Sequence, residues 1–247
     1  MKDRIQDLIV IAQTYSKALP PLPITPKIPQ GKALAGYIDH TLLKPEASKA
    51  QIMQLCQEAK EHQFASVCIN PSYIALAAEL LKEYPVAVCS VLGFPLGATT
   101  PPSKAAEAVS SLALGSNELD MVINVGALKS EMYDIVFNEI VGVVQIAHSQ
   151  GAIIKVIIEC GLLSTYEKIL ATLIVKEAQA DFVKTSTGMM AGGATIEDVA
   201  LMYRVVEGKI GVKAAGGIRT YSDAQAMIQA GATRLGSSAG IKIIQEA

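Results

Sequence analysis

From Tyr37 onward, short apolar runs alternate with stretches whose apolar residues recur at helical spacing, the signature of parallel βα units. The pattern predicts strands at Tyr37–His40, Ser66–Asn70, Val86–Leu92, Leu119–Asn124, Ile154–Glu159, Phe182–Thr185, Gly211–Ala215 and Arg234–Ser237. Helices fill the gaps, beginning after the candidate caps Ser48, Ser103, Ser164, Thr195 and Ser222 and ending near Gly115, Gly151, Gly208 and Gly231. Eight such units in just over 200 residues fit a (β/α)8 TIM barrel. A doubly wound sheet is the runner-up. It requires a dinucleotide fingerprint or a switch-point crevice, whereas the glycine-rich turns here follow the seventh and eighth strands, where barrels commonly bind phosphate.

Ahead of the barrel, Ile5, Leu8, Ile9, Ala12, Tyr15 and Leu19 define an amphipathic helix over Asp3–Leu19, stopped by Pro20, Pro21 and Pro23, with Pro26 and Pro29 extending the break. The expected organisation is an additional N-terminal helix and linker over residues 1–34, followed by a barrel over 35–247. The helix's apolar stripe needs either the barrel or a second subunit to cover it.

Composition narrows the functional classes. The 247 residues are 51% apolar, enough for one sizeable core, and the net charge of −2 leaves no electrostatic footprint for nucleic acid or an anionic membrane. No apolar run approaches a membrane span. The 4 cysteines (Cys56, Cys68, Cys89, Cys160) lack metal-ligand spacing and read as reduced, buried thiols of a cytoplasmic protein; the 3 histidines are scattered, and no metal or other cofactor is expected.

The candidate chemistry centres on Asp181-Phe-Val-Lys-Thr-Ser-Thr-Gly188, which puts Lys184 where a buried strand ends. A lysine there ordinarily packs its stem and sends its ammonium to water. A nucleophilic lysine instead needs an unprotonated amine, which desolvation or a nearby cation favours, and Lys213 occupies the equivalent point of the next strand. Asp120, inside the apolar run Glu118–Asn124, must be paired or have its pKa raised, and Lys213 is a candidate partner, in a structural ion pair or a catalytic set. Asp39, Thr41, Cys68, Asn70, Asn124 and Glu159 also fall at strand ends on the face where barrels keep their active sites. The turns Ala215-Gly-Gly-Ile-Arg219 and Leu235-Gly-Ser-Ser-Ala-Gly240 can bring backbone donors to a phosphate.

Five segments in order, Tyr37-Ile-Asp-His-Thr-Leu-Leu-Lys-Pro45, Ser66-Val-Cys-Ile-Asn-Pro71, Glu118-Leu-Asp-Met-Val-Ile-Asn-Val-Gly126, Lys184-Thr-Ser-Thr-Gly188 and Val212-Lys-Ala-Ala-Gly-Gly-Ile-Arg219, resemble those of the deoxyribose-phosphate aldolases, class I (Schiff-base) enzymes on a (β/α)8 barrel. The resemblance implies metal-free, reversible cleavage of 2-deoxy-D-ribose 5-phosphate to D-glyceraldehyde 3-phosphate and acetaldehyde. It implies Lys184 as the Schiff-base nucleophile and Lys213 with Asp120 as a proton relay. Asp39, Thr41 and Cys68 become substrate-side or supporting groups, and Gly217, Ser237 and Ser238 phosphate contacts. Partners are then a sugar phosphate and an aldehyde, in a homo-oligomer (dimer or tetramer). Residues before about Leu34 lie outside the resemblance, and Met189 stands where some members place a lysine, so phosphate dependence is expected to be weaker. The competing readings are a phosphate-binding isomerase or metal-dependent aldolase, and a non-catalytic phosphate-binding barrel. None of them explains Lys184 as well.

Overall fold

The computed structural model describes residues 2–23, 27–29, 31–190 and 192–247. Part of the Pro-rich linker, including Pro26, lies outside the described residues. Among the described residues, eight parallel strands close into a barrel in sequence order, with β8 pairing back to β1. They are β1 Ile38–Leu42, β2 Ser66–Ile69, β3 Ala87–Leu92, β4 Glu118–Val122, β5 Ile153–Ile157, β6 Phe182–Lys184, β7 Gly211–Ala215 and β8 Arg234–Ser237. The helices are α1 Lys2–Lys17, α2 Lys32–Ala35, α3 Lys49–His62, α4 Ile74–Leu81, α5 Pro101–Ala113, α6 Val125–Lys129, α7 Tyr133–Ser149, α8 Thr165–Glu177, α9 Ile196–Val206, α10 Tyr221–Gln229 and α11 Gly240–Gln245.

Strand alternation sorts two cores. Leu119, Met121, Ile154, Val156, Val183, Val212 and Ala214 belong to the apolar layer packed with the helices. The alternate positions Asp39, Glu118, Asp120, Lys155, Lys184, Lys213 and Arg234 meet one another inside the cylinder, where branched aliphatics usually fill the space. The barrel is therefore apolar outside and ionic within.

Helix starts follow capping chemistry, with two corrections. Ser48, Ser164 and Thr195 accept from backbone N–H groups as expected. Ser103 and Ser222 do not cap: Thr100 does so ahead of Pro101 and Pro102, whose fixed φ suits the first helical turn, and Thr220 forms a reciprocal box with Asp223. Gly115, Gly151, Gly208 and Gly231 follow helix ends at positive φ.

Helix α1 settles the question of its stripe. Ile5, Leu8 and Ala12 are buried, and the helix packs mainly along α8 and also on α7. This explains why the middle of α8 is buried all round: seven successive residues, Ile169–Val175, six of them apolar, are covered because barrel and α1 lie on opposite sides. Arg4 pairs with Glu177, and Arg204 of α9 donates to the carbonyls of Pro20 (2.6 Å) and Leu19 (3.2 Å), fastening the chain that leaves α1. Deleting residues 1–29 is expected to uncover α8. A net loss of about 3 kcal/mol, the lower end of what burying two aliphatic side chains contributes, lowers the melting midpoint by roughly 6–12 °C. An unchanged midpoint in a thermal scan would show that α1 does not dock there in solution.

Candidate active site

Backbone register brings the central side chains together in pairs. Lys184 of β6 lies opposite Lys213 of β7, and Asp120 of β4 opposite Lys155 of β5. Asp120 joins the pairs: Lys184 Nζ and Lys213 Nζ each lie 2.6 Å from its Oδ2, and Lys155 Nζ lies 2.9 Å from its Oδ1. Cys89 Sγ donates to the same Oδ1 at 3.2 Å. With both oxygens engaged, the carboxylate has one orientation available to it.

A lower tier supports this one. Lys213 also pairs with Asp39, Lys155 lies 2.5 Å from Glu118, and Arg234 bridges Asp39 at 2.7 Å and Glu118 at 3.2 Å. All these side chains are buried or nearly so. Burial by itself opposes the charge on Asp120, but Lys155, Lys184 and Lys213 together hold its carboxyl well below the usual carboxylate range. Burial likewise disfavours a cationic Lys213, yet Asp120 and Asp39 raise its pKa above the ordinary lysine value. Lys155 and Arg234 are held charged in the same way, by Asp120, Asp39 and Glu118 for the lysine and by Asp39 and Glu118 for the arginine. Four basic groups thus face three carboxylates. Of the four, Lys184 is the one at the edge, 3% exposed and facing the open cavity.

That cavity, about 370 Å³, opens above Lys184. Its walls include Thr41, Lys44, Thr187, Met189, Arg219 and both glycine turns. Gly216 and Gly217 have φ of 91° and 85°, and a Cβ at Gly216 would sit 3.0 Å from Gly193 Cα, so this turn demands glycine both for its conformation and for the loop packed on it. Ser237 Oγ donates to Ile218 O (2.7 Å) and accepts from Ala239 N (3.0 Å), which locks the two turns to each other.

The structure brings most of the sequence-derived candidates to this place, in different tiers. Lys184, Thr41, Gly217, Ser237 and Ser238 line the cavity, whereas Asp120 and Lys213 are fully buried behind Lys184 and reach the cavity through it. Asp39 is fully buried beneath Lys213, a counter-ion and not a wall residue. Cys68 is also buried, with Sγ 4.0 Å from Asp120 Oδ2. Its thiol pKa is lowered, first by a hydrogen bond from Cys89, while burial and that same bond push Cys89 well above the ordinary value. Asn70 and Asn124 are structural: the first donates to the carbonyls of Leu43 and Lys44, the second caps α6. Three members of the ionic interior, Lys155, Glu118 and Arg234, escape the sequence reading. The available signal for Lys155 was the one that exposed Lys184: a lysine in an otherwise apolar strand, Ile153-Ile-Lys-Val-Ile157.

Among the described residues, the one grouping with metal-ligand spacing is Cys68, Cys89 and Asp120. Its carboxylate already carries three lysine nitrogens, two of them, on Lys155 and Lys213, held as ammonium groups, so a further cation there would be repelled. Among the described residues, no helix is long and apolar enough to cross a membrane.

Comparison with known proteins gives one answer. A family profile described as DeoC/LacD family aldolase matches residues 34–246. A deoxyribose-phosphate aldolase from Halalkalibacterium halodurans is 56% identical over 214 residues, covering 86% of this chain and 95% of that protein. Another from Caldanaerobacter subterraneus subsp. tengcongensis is 57% identical over 214 residues, covering 86% and 93%. A solved structure from Coccidioides immitis superposes with a TM-score of 0.92 at 40% identity, over 98% of this chain and 97% of its own. The tetrameric deoxyribose phosphate aldolase of Aeropyrum pernix superposes with a TM-score of 0.83 at 32% identity, over 97% and 96%.

Proposed function

The chain belongs to the DeoC/LacD family of aldolases, and from that premise we infer how its residues divide the work. It is a class I aldolase that reversibly cleaves 2-deoxy-D-ribose 5-phosphate to D-glyceraldehyde 3-phosphate and acetaldehyde through a lysine Schiff base. In our reading Lys184 is that lysine. The observation that carries the assignment is the single carboxylate oxygen of Asp120 shared by the buried Lys213 and by Lys184, which lines the cavity.

The unprotonated amine of Lys184 adds to C1 of the open-chain sugar, and the carbinolamine loses water to give an iminium ion. Acetaldehyde carries two carbons, so the bond that breaks joins C2 to C3. Its electron pair flows into the iminium as the C3 hydroxyl loses a proton, leaving an enamine on Lys184 and releasing glyceraldehyde 3-phosphate. Protonation at C2 and hydrolysis then free acetaldehyde and the amine. Lys213, held as an ammonium, supplies protons for dehydration and for C2, while Asp120 is the acceptor through which they are shared. Lys155 keeps Asp120 oriented from the opposite side. The glycine turns offer backbone N–H groups to the phosphate, beside Gly217, Ser237 and Ser238. The four cysteines are unpaired thiols, which supports a cytoplasmic setting, and we expect a homo-oligomer.

Borohydride reduction in the presence of acetaldehyde, followed by peptide mass mapping, tests the assignment directly. The expected adduct is on Lys184. Stoichiometric labelling of a different lysine, or of none, would sink it.

Met189 also lines the cavity, but so do Lys44 and Arg219, neither of which has an ion-pair partner among the described residues. Arg219, an optional phosphate cation in the sequence reading, and Lys44 therefore both stand near the wall that carries Met189. Met189→Lys is expected to raise kcat/KM for deoxyribose 5-phosphate more than for deoxyribose, by less than the roughly 10- to 150-fold of a first charge-assisted bond. Equal effects on both sugars would show that this side chain does not face the phosphate.

A further inference from the structure

We propose that Glu159 is a positioning residue for the reaction: its buried carboxylate holds the loop after Lys184, and so sets the cavity wall formed by Thr187, Gly188 and Met189. The inference rests on the reading of Lys184 as the nucleophile.

Glu159 follows β5 on the same face of the barrel as Lys184, with φ 54° and ψ 66°. A residue bearing a Cβ pays a steric penalty in that left-handed region, and one that is bulky and acidic has little local reason to be there. Its side chain is only 2% exposed, and Oε2 accepts from the backbone N–H of Thr187 at 3.0 Å. An ionised acceptor on a peptide N–H makes a stronger bond than a neutral one. The flanking residues reinforce it: Ile158 N donates to Lys184 O at 3.0 Å and Cys160 N to Thr185 O at 2.8 Å. Three bonds therefore stitch the end of β5 to Lys184, Thr185 and Thr187 in turn.

The far edge of the same loop is tied to β7. Ser186 Oγ and Thr185 Oγ1 both donate to Ala215 O, at 2.5 and 3.1 Å, and Ala194 N donates to Gly216 O at 3.0 Å. Beyond Thr185, the carboxylate of Glu159 is the tie on the β5 side among the described residues. Thr187 in turn accepts from Met189 N through Oγ1 at 3.2 Å, so the bond from Glu159 fixes the turn that carries Gly188 and Met189. The left-handed backbone is what turns the Glu159 side chain back under this loop. A glycine would adopt the conformation without strain but would leave Thr187 N–H without its acceptor.

The test uses Glu159→Asp, Glu159→Leu and Glu159→Gln in the full chain, with circular dichroism to establish folding and steady-state cleavage of deoxyribose 5-phosphate as the readout. Asp keeps the charge but falls short of Thr187, and Leu keeps the bulk without an acceptor. Both are expected to lose about 10- to 100-fold in kcat/KM, with part of the loss in kcat. Gln presents an amide oxygen to the same N–H and is expected to recover activity to within roughly fivefold of the wild type. In the wild-type chain the Thr187 amide should exchange with deuterium as slowly as strand amides, a measurement that stands even if Glu159→Leu does not fold. Wild-type kinetics for Glu159→Asp, failure of Glu159→Gln to rescue, or rapid exchange at Thr187 would each overturn the proposal. Borohydride trapping on the wild type separates the premise from the inference. A label away from Lys184 removes both, whereas a label on Lys184 with unaffected Glu159 variants removes this inference alone.

Discussion

Lys184→Ala is expected to abolish borohydride trapping and to cut aldol cleavage by roughly 10⁴-fold or more, while the chain stays folded. Loss of the nitrogen removes the covalent route itself, so no neighbouring group can restore it. The fold should survive because of the charge count in the barrel. Without Lys184, three basic groups (Lys155, Lys213, Arg234) face three carboxylates (Asp39, Glu118, Asp120), and Asp120 keeps bonds to Lys155 and Lys213. Removing one partner of a buried ion pair commonly costs about 3–5 kcal/mol because a charge is stranded. Here none is stranded. A Lys184→Ala chain that cleaves substrate within tenfold of the wild type would take Lys184 out of the mechanism.

Lys213→Leu should be nearly as damaging at pH 7, with a loss of about 10²- to 10⁴-fold in kcat, but with a different pH profile. Asp120 then has one amine fewer to share its Oδ2, and the proton it attracts stays on Lys184 as an ammonium that cannot add to an aldehyde. The residual rate is expected to climb toward alkaline pH as that proton leaves. Deprotonation of Lys155 does not confound the climb. Lys155 has its folded pKa held above the ordinary value, so its contribution to stability is complete below a pH of about 10.4 and is lost only as pH rises through the higher folded value. A Lys213→Leu profile parallel to the wild type would show that Lys213 does not govern the proton on Lys184.

The strands were legible in the sequence because each is apolar on the face that meets the helices, and that layer tolerates few exceptions. Boundaries moved by a residue or two, as at β4 and β5, where charged or polar residues such as Glu118 and Asn124 blur the ends. Lys184, Lys213 and Asp120 stood out as charges in apolar runs, and the barrel brings them into contact. Lys155 and Arg234 obey the same logic. Their function in the network depends on carboxylates reached only across the barrel, from Asp39 on β1 to Lys155 on β5, a proximity that no local pattern encodes. Asp39 illustrates the converse. The resemblance left it open as a substrate-side or supporting group, and its burial away from the cavity wall depends on the tilt and stagger of all eight strands. The docking of α1 was half legible, since an apolar stripe declares that something covers it without saying what; the nearly unbroken apolar run Ile169–Val175 of α8 held the complementary half of the message.

The register of β6 against β7 subjects the chemistry to a parity rule. Lys184 and Lys213 share an oxygen because each is an odd number of residues from neighbours that face the helices, Val183 on one strand and Val212 on the other. One residue removed from within β6 would reverse this, turning the Lys184 side chain into the apolar helix layer. Two residues removed would shift the amine by a whole layer but keep it inside. Natural or engineered length variation can accumulate freely in the connections on the opposite end of the barrel, whereas within the strands only even steps preserve which side of the wall a side chain occupies.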